Sequence, residues 1–288
     1  MRENLIQRNY KRYFWFFVLP TLAAFALAFL IPFVMGLWLS FCRFTTVKDA
    51  SFIGFGNYIR AFTADRDFLN ALWFTAKFTV VSVITVNVLA FALAMLLTSR
   101  LKGRNFFRTV FFMPNLVGGI VLGYIWQVII NGVLLRFGVD ITYKAEYGFW
   151  GLVILTNWQL IGYMMVIYIA GIQNIPGELP EAASIDGAGG LQRLRHVTIP
   201  MVMPSVTICT FLTLTNSFKL FDQNVALTAG EPANASEMLA LNIYNTFYGR
   251  SGAQWKGIGQ AKAAVFFLIV VIISLIQLKF TRSKEVQQ

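Results

Sequence analysis

The sequence predicts an all-α integral membrane protein with six transmembrane helices and both termini in the cytoplasm. Three observations carry that prediction. Of the 288 residues, 57% are hydrophobic and 13% are charged, about half the charged share of a soluble domain. Six apolar runs approach the roughly 20 residues that a helix needs to cross a bilayer core. The basic residues, which set a net charge of +11, gather in short clusters beside those runs, as the positive-inside rule requires. A nucleic-acid partner is therefore not expected from the charge.

The spans follow in order. The first covers residues 14–39 and contains Pro20 and Pro32, each expected to kink it. No small-residue cleavage site follows it, so it reads as a retained span and not as a signal peptide. The second covers 72–97, the third 106–130, the fourth 149–171, the fifth 201–220 and the sixth 261–280. A single transmembrane domain over 1–288 is the expectation, with a polar segment at 176–200 between spans four and five.

Orientation comes from lysine and arginine. One set of regions holds Arg2, Arg8, Lys11, Arg12, Arg100, Lys102, Arg104, Arg108, Arg193, Arg195, Lys279, Arg282 and Lys284. That is thirteen of the 24 basic residues. The longer regions on the opposite side hold nine, and Lys77 and Lys262 fall inside spans. The richer side is assigned to the cytoplasm. Lys77 has two readings, snorkelling or pairing with a helix carbonyl. Cys42 and Cys209 lie far apart in sequence and are read as unpaired.

The segment "LPEAASIDGAGGLQRLRHVTIPMVMP", Leu179–Pro204, lies on the cytoplasmic side by this count. Pro180 suits a first helical position, and Glu181 then lies in the first turn, where the helix dipole favours an acid. Gly187–Gly190 break or bend the helix. "LQRLRHVTI" resumes a helical pattern, with Leu191, Leu194 and Val197 or Thr198 on one face. The result is a short, bent, amphipathic surface helix. It fits a protein partner or a lipid headgroup layer. His196, the sole histidine, reads as a polar interface residue.

No G-x-x-x-x-G-K-[ST] sequence occurs, so the chain carries no P-loop of its own. One histidine and two distant cysteines supply no metal cluster, and no cofactor is expected in this chain. All thirteen acids fall outside the six predicted spans. A gradient-driven carrier would normally place carboxylates within the membrane, so energy is expected from a separate ATPase. Asn234-Ala235-Ser236 spells a glycosylation sequon but is read as chance, with Asn234 or Ser236 capping the helix that follows.

Several polar side chains recur inside spans, where they should face the bundle interior or a cavity. In span four these are Thr156, Gln159 and Tyr163. In span five they are Thr207, Thr210, Thr213 and Ser217, with Asn216 and Lys219 nearby. Thr207 and Thr210 are expected to bond their own helix backbone. Gly119 and Gly123 form a small-xxx-small pattern, read as helix packing.

The polar segment resembles the EAA signature of permease subunits in binding-protein-dependent ABC importers, approximately EAAxxDGAxxxQxFxxIxLPxxxP. Glu181, Ala182, Ala183, Asp186, Gly187, Ala188, Gln192, Pro200 and Pro204 match it. Leu194, Val197 and Ile199 replace the usual aromatic, isoleucine and leucine and stay apolar. "GFGNYIRAF", "NWQLIGYMMVIYIAGIQNIPGELPEAA" and "SFKLFDQNVALTAGEPANASE" are similar to segments of the multiple-sugar group. In the last, Ala229 and Glu231 stand where glycines are usual.

That resemblance implies the type I ABC importer permease fold and a place in the bacterial inner membrane. It implies four kinds of partner: a second homologous permease, an ATPase dimer, an extracytoplasmic solute-binding protein and a sugar substrate. It implies that Glu181 pairs with a basic ATPase residue, that Gly187 makes a bend, and that Ala182, Ala183 and Ala188 allow close approach. Tyr163, Thr213 and Ser217 match positions that line the family's sugar site, as does Leu220, where the usual polar residue is missing. Gln159, Asn216 and Trp158 are added as candidate pathway groups. Lys219 near the outer end opens two alternatives, glycerol phosphate or an acidic sugar. A gradient-driven secondary carrier is the rival from another class.

Overall fold

The computed structural model of the chain describes residues 2–99 and 101–284, with side chains from residue 14 onward. The side chains of Arg2, Arg8, Lys11 and Arg12, and Arg100 as a whole, lie outside the described residues, so the charge count that uses them stands on sequence alone.

In chain order the helices and strands are α1 (Arg2–Phe25), α2 (Ile31–Leu39), β1 (Cys42–Arg43), β2 (Ser51–Phe52), α3 (Gly56–Thr63), α4 (Arg66–Thr98), α5 (Arg104–Phe112), α6 (Gly119–Leu134) and α7 (Ala145–Gln173). There follow α8 (Glu178–Ile185), α9 (Gly190–Arg193), α10 (Ile199–Met201), α11 (Met203–Phe218), α12 (Asp222–Leu227), α13 (Leu239–Tyr244) and α14 (Ala253–Arg282). Five stretches are long and apolar enough to cross a membrane. They become six if Gly190–Met201 and Met203–Phe218, bent by 69°, count as one broken span. The protein is thus a mostly helical, multi-pass membrane protein.

Two of the expected spans differ in kind. In the first, Pro20 sits inside α1, and a π-helical turn at Ala26–Leu30 separates it from α2, where Pro32 occupies the first turn. The helical backbone continues through this turn, with the Ile31 N–H bonding the Ala26 carbonyl, so the π-turn lies where Pro32 removes a ladder donor. The third expected span is not continuous. It divides into α5, a 3-10 turn at Met113–Leu116 and α6. Pro114 in that turn and the extended backbone of Val117 and Gly118 stop the α-helical ladder.

The chain packs as two units. The first comprises residues up to Ala64 together with Asn245–Val265; the second comprises Asp65–Tyr244 and the residues from Phe266.

In the first unit β1 and β2 pair antiparallel, Cys42 opposite Phe52 and Arg43 opposite Ser51. The Asp49 Oδ1 accepts the Thr45 and Thr46 N–H groups, each at 2.8 Å. Those bonds hold its carboxyl below the usual carboxylate range. Buried Asn57 donates to the Ser40 and Cys42 carbonyls at 2.9 and 2.8 Å. Lys262, fully buried, donates to the Thr246 hydroxyl at 2.6 Å. A buried ammonium needs such acceptors.

The second unit is a bundle of α4, α5, α6, α7 and α11. Its larger core joins Val86, Ala90, Ala94 and Leu97 of α4 to Met164, Met165 and Tyr168 of α7 and Cys209 of α11. A second core gathers Phe74, Phe78, Leu152, Leu155, Leu227 and Met238. Helices α4 and α7 run in the same direction: Phe74 meets Phe149, and further along Phe91 meets Tyr168. Small residues let backbones approach. A Cβ at Gly162 would collide with the Phe111 carbonyl, and one at Gly171 with the Ser205 hydroxyl. Gly119 and Gly123 pack as expected, since a Cβ at either would overlap Asp222 or Ala226 of α12.

The cysteines are both free and buried. Lys77 is exposed and makes no hydrogen bond to a carbonyl among the described residues; its Nζ sits 5.6 Å from the centre of the Trp73 ring, a cation–π arrangement. The expected cap at Asn234 or Ser236 is not made. Asn234 donates to the Asp67 carboxylate at 3.2 Å, and Ser236 donates to Thr228 at 2.9 Å. Helix α13 begins later, at Leu239, whose N–H is taken by the Thr75 hydroxyl at 2.8 Å.

Candidate functional site

The coupling candidates occupy a bend with a definite geometry. Helix α8 starts at Glu178, two residues before the expected Pro180, and places Glu178 and Glu181 in its first turn. Pro180 falls at the third position, where a missing N–H costs nothing. At the other end the Ala188 N–H returns to the Ala183 carbonyl at 2.9 Å, and the Gly187 N–H to the Ser184 carbonyl at 3.2 Å. This paired return is the Schellman stop, which needs a left-handed residue just past the helix. Gly187 supplies it with φ of +79°.

Two bonds that sequence reasoning missed hold the bend. The Gly189 N–H donates to the Gln192 Oε1 at 2.8 Å. Arg193 Nη1 donates to the Ser184 hydroxyl at 2.8 Å, tying the second arm to the first. A glutamine three residues after an extended glycine was the available signal. His196 lies exposed, its Nδ1 3.0 Å from the Gln192 carbonyl oxygen. A hollow of about 400 Å³ sits in the crook, lined by Ala183, Asp186, Gly187, Ala188, Gln192, Arg193, His196 and Val197.

The outward face of the bend is open. Glu181, Ala182 and Asp186 are exposed, and Ala183 and Ala188 are half-buried. Ile185 and Leu191 are 86% and 79% exposed. Two large aliphatic side chains thus stand in the open on one short polar segment. Beyond the bend, a π-helical turn at Leu194–Thr198 leads to α10, and the 69° break falls at Val202.

The pathway candidates are spread over several neighbours. Gln159 is almost buried; its Oε1 accepts from the Gln223 amide at 2.8 Å, and its own amide reaches the Val117 carbonyl at 3.5 Å. Tyr163, half-buried, lies against Phe112. Thr213 is fully buried, donates to the Cys209 carbonyl at 2.8 Å and accepts from Asn87 at 3.4 Å. Ser217 is also buried, and its hydroxyl has no partner among the described residues. Asn216 is half-buried, Lys219 is exposed at the C-cap of α11, and Leu220 is buried. Trp158 is half-exposed and meets Trp126 edge to face. Thr207 bonds the Met203 carbonyl of its own helix, as expected.

Sequence reasoning missed the polar seam that Thr213 joins. Asn87 links α4 to both neighbours, since its Oδ1 accepts the Tyr168 hydroxyl at 2.7 Å. Asn157 donates to Thr85 at 2.9 Å one layer away. An asparagine in an otherwise apolar run was the signal, because an unpaired amide in hydrocarbon costs several kcal/mol (roughly 2–7).

Residues 101–285 match the family described as "Binding-protein-dependent transport system inner membrane component". The chain is 45% identical over 284 residues to the probable starch degradation products transport system permease protein of Thermoanaerobacterium thermosulfurigenes, covering 96% of each chain. It is 30% identical over 282 residues to the multiple sugar-binding transport system permease protein of Streptococcus mutans, covering 94% of this chain and 96% of that one. Its fold is similar to a chain of a bacterial ABC transporter involved in import of the acidic polysaccharide alginate. The TM-score is 0.80 at 19% identity, over 96% of this chain and 98% of the other. The chain belongs to the family of inner-membrane components of binding-protein-dependent transport systems.

Proposed function

We propose that this permease component is one of two homologous permease subunits of a bacterial ABC importer that takes up neutral oligosaccharides. A loaded extracytoplasmic binding protein docks on the outer loops, about 41–70 and 222–260. ATP closes a separate ATPase dimer, and the two permeases rock from inward-open to outward-open around a mid-membrane site. Both termini and the bend at 178–198 lie in the cytoplasm.

The bend carries this reading. It presents Glu181 beside small alanines, stops its first helix at Gly187, and leaves Ile185 and Leu191 uncovered. A segment that ties its two arms together yet exposes its apolar side chains is built to be held by another protein. One charged residue at its start fixes the register. The chain itself is a transport component, and hydrolysis of ATP belongs to the partner. The sugar site is formed by Gln159, Tyr163, Thr213, Asn216 and Ser217 once the second permease completes the pathway. The names of the two sugar-transporting relatives support an oligosaccharide, and the exposed end position of Lys219 favours a neutral one.

The test is reconstitution. This chain, its second permease and the ATPase are placed in proteoliposomes with the loaded binding protein. Uptake of labelled malto-oligosaccharide that requires ATP and the binding protein is the expected result. Uptake that persists without the ATPase and follows an ion gradient would sink the reading.

A further inference from the structure

The corner between α4 and α5 holds three positive charges and no negative ones. Lys102 and Arg104 are exposed, and Arg108 is half-buried. No Asp or Glu occurs between Asp67 and Asp140. Among the described residues none of the three basic side chains pairs with a carboxylate. Arg108 Nη2 donates to the Leu97 carbonyl at 3.0 Å, closing the end of α4. Its Nε is shielded from solvent and has no acceptor. A guanidinium with one edge satisfied and the other empty calls for an external anion.

Helix α5 itself is strongly two-faced. Its nine residues, "RNFFRTVFF", mix two arginines with four phenylalanines and a valine. Phe106 and Phe107 are 69% and 40% exposed. That is the composition of a helix lying at a headgroup boundary.

An apolar groove begins directly below the arginine. Helices α4 and α5 form a hairpin, so one turn from the Arg108–Leu97 contact leads to Phe111 on one side and Leu93 on the other. Both line a groove of about 390 Å³, together with Val110, Pro114, Trp158 and Ile161. Basic groups at the mouth and a mostly apolar channel beneath them match one ligand class in both halves. A partner protein would need acids above and apolar groups below at the same spacing. A lipid has that layout by its chemistry.

We propose that this corner is a binding site for one anionic phospholipid. Its phosphate sits on the guanidinium of Arg108 within reach of Lys102 and Arg104, and one acyl chain lies in the groove toward Trp158. The site is separate from the bend and shares only Trp158 with the pathway candidates, and it does not depend on which solute is carried.

The test uses the assembled transporter purified in detergent. Added phosphatidylglycerol is compared with phosphatidylcholine of the same chains and with inorganic phosphate, reading retained lipid by mass spectrometry and thermal unfolding. Phosphatidylglycerol is expected to be retained and to raise the unfolding temperature, with little effect from the other two. Lys102→Gln with Arg104→Gln should weaken its binding about five-fold for each charge removed. Val110→Trp should block the chain and abolish retention while leaving the charges. Arg108→Gln removes the phosphate's main partner and should weaken binding most, and if it fails to fold, the other variants carry the test. Equal effects of phosphatidylcholine would overturn the headgroup assignment. An equal effect of inorganic phosphate would overturn the lipid assignment. Phosphatidylglycerol binding that survives all three variants, or no retention by the wild type because the second permease covers the groove, would overturn the site.

Discussion

Two polar interruptions of the second unit fold by opposite rules. The segment from Asp222 to Met238 turns its polar groups on itself. Asn224, fully buried, donates to the Ser236 carbonyl at 2.9 Å and to Thr228 at 3.1 Å, and accepts the Met238 N–H at 2.9 Å. Leu227, Met238 and Leu239 are wholly covered. The segment from Glu178 to Thr198 satisfies its backbone in short helical turns and leaves Ile185 and Leu191 outside. Both are rich in glycine, alanine and polar residues. What separates them is where the apolar side chains end up. The first buries its apolar side chains as folded, whereas the second leaves two of them in the open.

That contrast can be broken most forcefully at Asn224. Replacing it with alanine strands the Met238 N–H and the Ser236 carbonyl in a buried site. The loss should be about 2–4 kcal/mol of stability, read as a lower unfolding temperature of the solubilised transporter. Unchanged melting would mean that the outer segment is not held by its own bonds. In the bend, Gly187→Val forces a β-branched residue into a left-handed conformation at roughly 1–2 kcal/mol. It should also misplace the second arm, so that the loaded binding protein no longer stimulates ATP hydrolysis. Glu181→Lys should give the same uncoupling with no change in melting. Wild-type stimulation in both variants would remove the bend from the coupling step.

Ile185→Ser sharpens the comparison further. An exposed isoleucine contributes little to the isolated chain, so melting should move by less than about 0.5 kcal/mol equivalent. If a partner buries it, the ATPase should dissociate more readily by about 1.5–3 kcal/mol, roughly ten-fold or more. Detergent pull-down of the ATPase at graded concentration reads this directly. No change in retention would mean that Ile185 stays exposed in the assembled transporter.

How much of this was legible depended on whether local or distant groups decide. Four of the six expected spans follow from apolar runs as continuous or nearly continuous helical stretches, and a span five exists only if the bent pair Gly190–Met201 and Met203–Phe218 counts as one. The bend at Gly187 was legible because a glycine stop is a local device. The break in span three was not. Pro114-Asn115 and Gly118-Gly119 are breakers, but they lie in a run apolar enough on average to read as one span. Asn234 and Ser236 had the right spelling for a cap, but Asp67, Thr228 and the Glu231 carbonyl, invisible to local reading, captured them instead. Ala229 shows the same effect: it adopts φ of +52° where a glycine is usual. The hydrogen-bonded frame from Asn224 to Ser236 outweighs a local cost of about 1–2 kcal/mol. Asn87 is the clearest miss, since its importance rests on Tyr168 and Thr213, 81 and 126 residues away.

The smallest expected effect decides the most about the substrate. Lys219 closes α11, its N–H returning to the Thr215 carbonyl at 3.2 Å, and its side chain is exposed. A cation at a helix C-terminus gains about 0.3–1 kcal/mol from the dipole. Lys219→Met should therefore lower stability by no more than that. If the carried solute is neutral, a solvated ammonium at the span's end makes no contact that differs between solute-bound and empty states. Uptake of a neutral oligosaccharide should then change less than about two-fold. An anionic solute would instead lose a charge-assisted contact of roughly 1.5–3 kcal/mol, a fall of ten-fold or more. Measuring both uptakes in one preparation, with the loaded binding protein saturating, separates the two solutes. Abolished uptake of an anion in the variant would replace the neutral sugar with an acidic one and leave the outer segment and the bend as they stand.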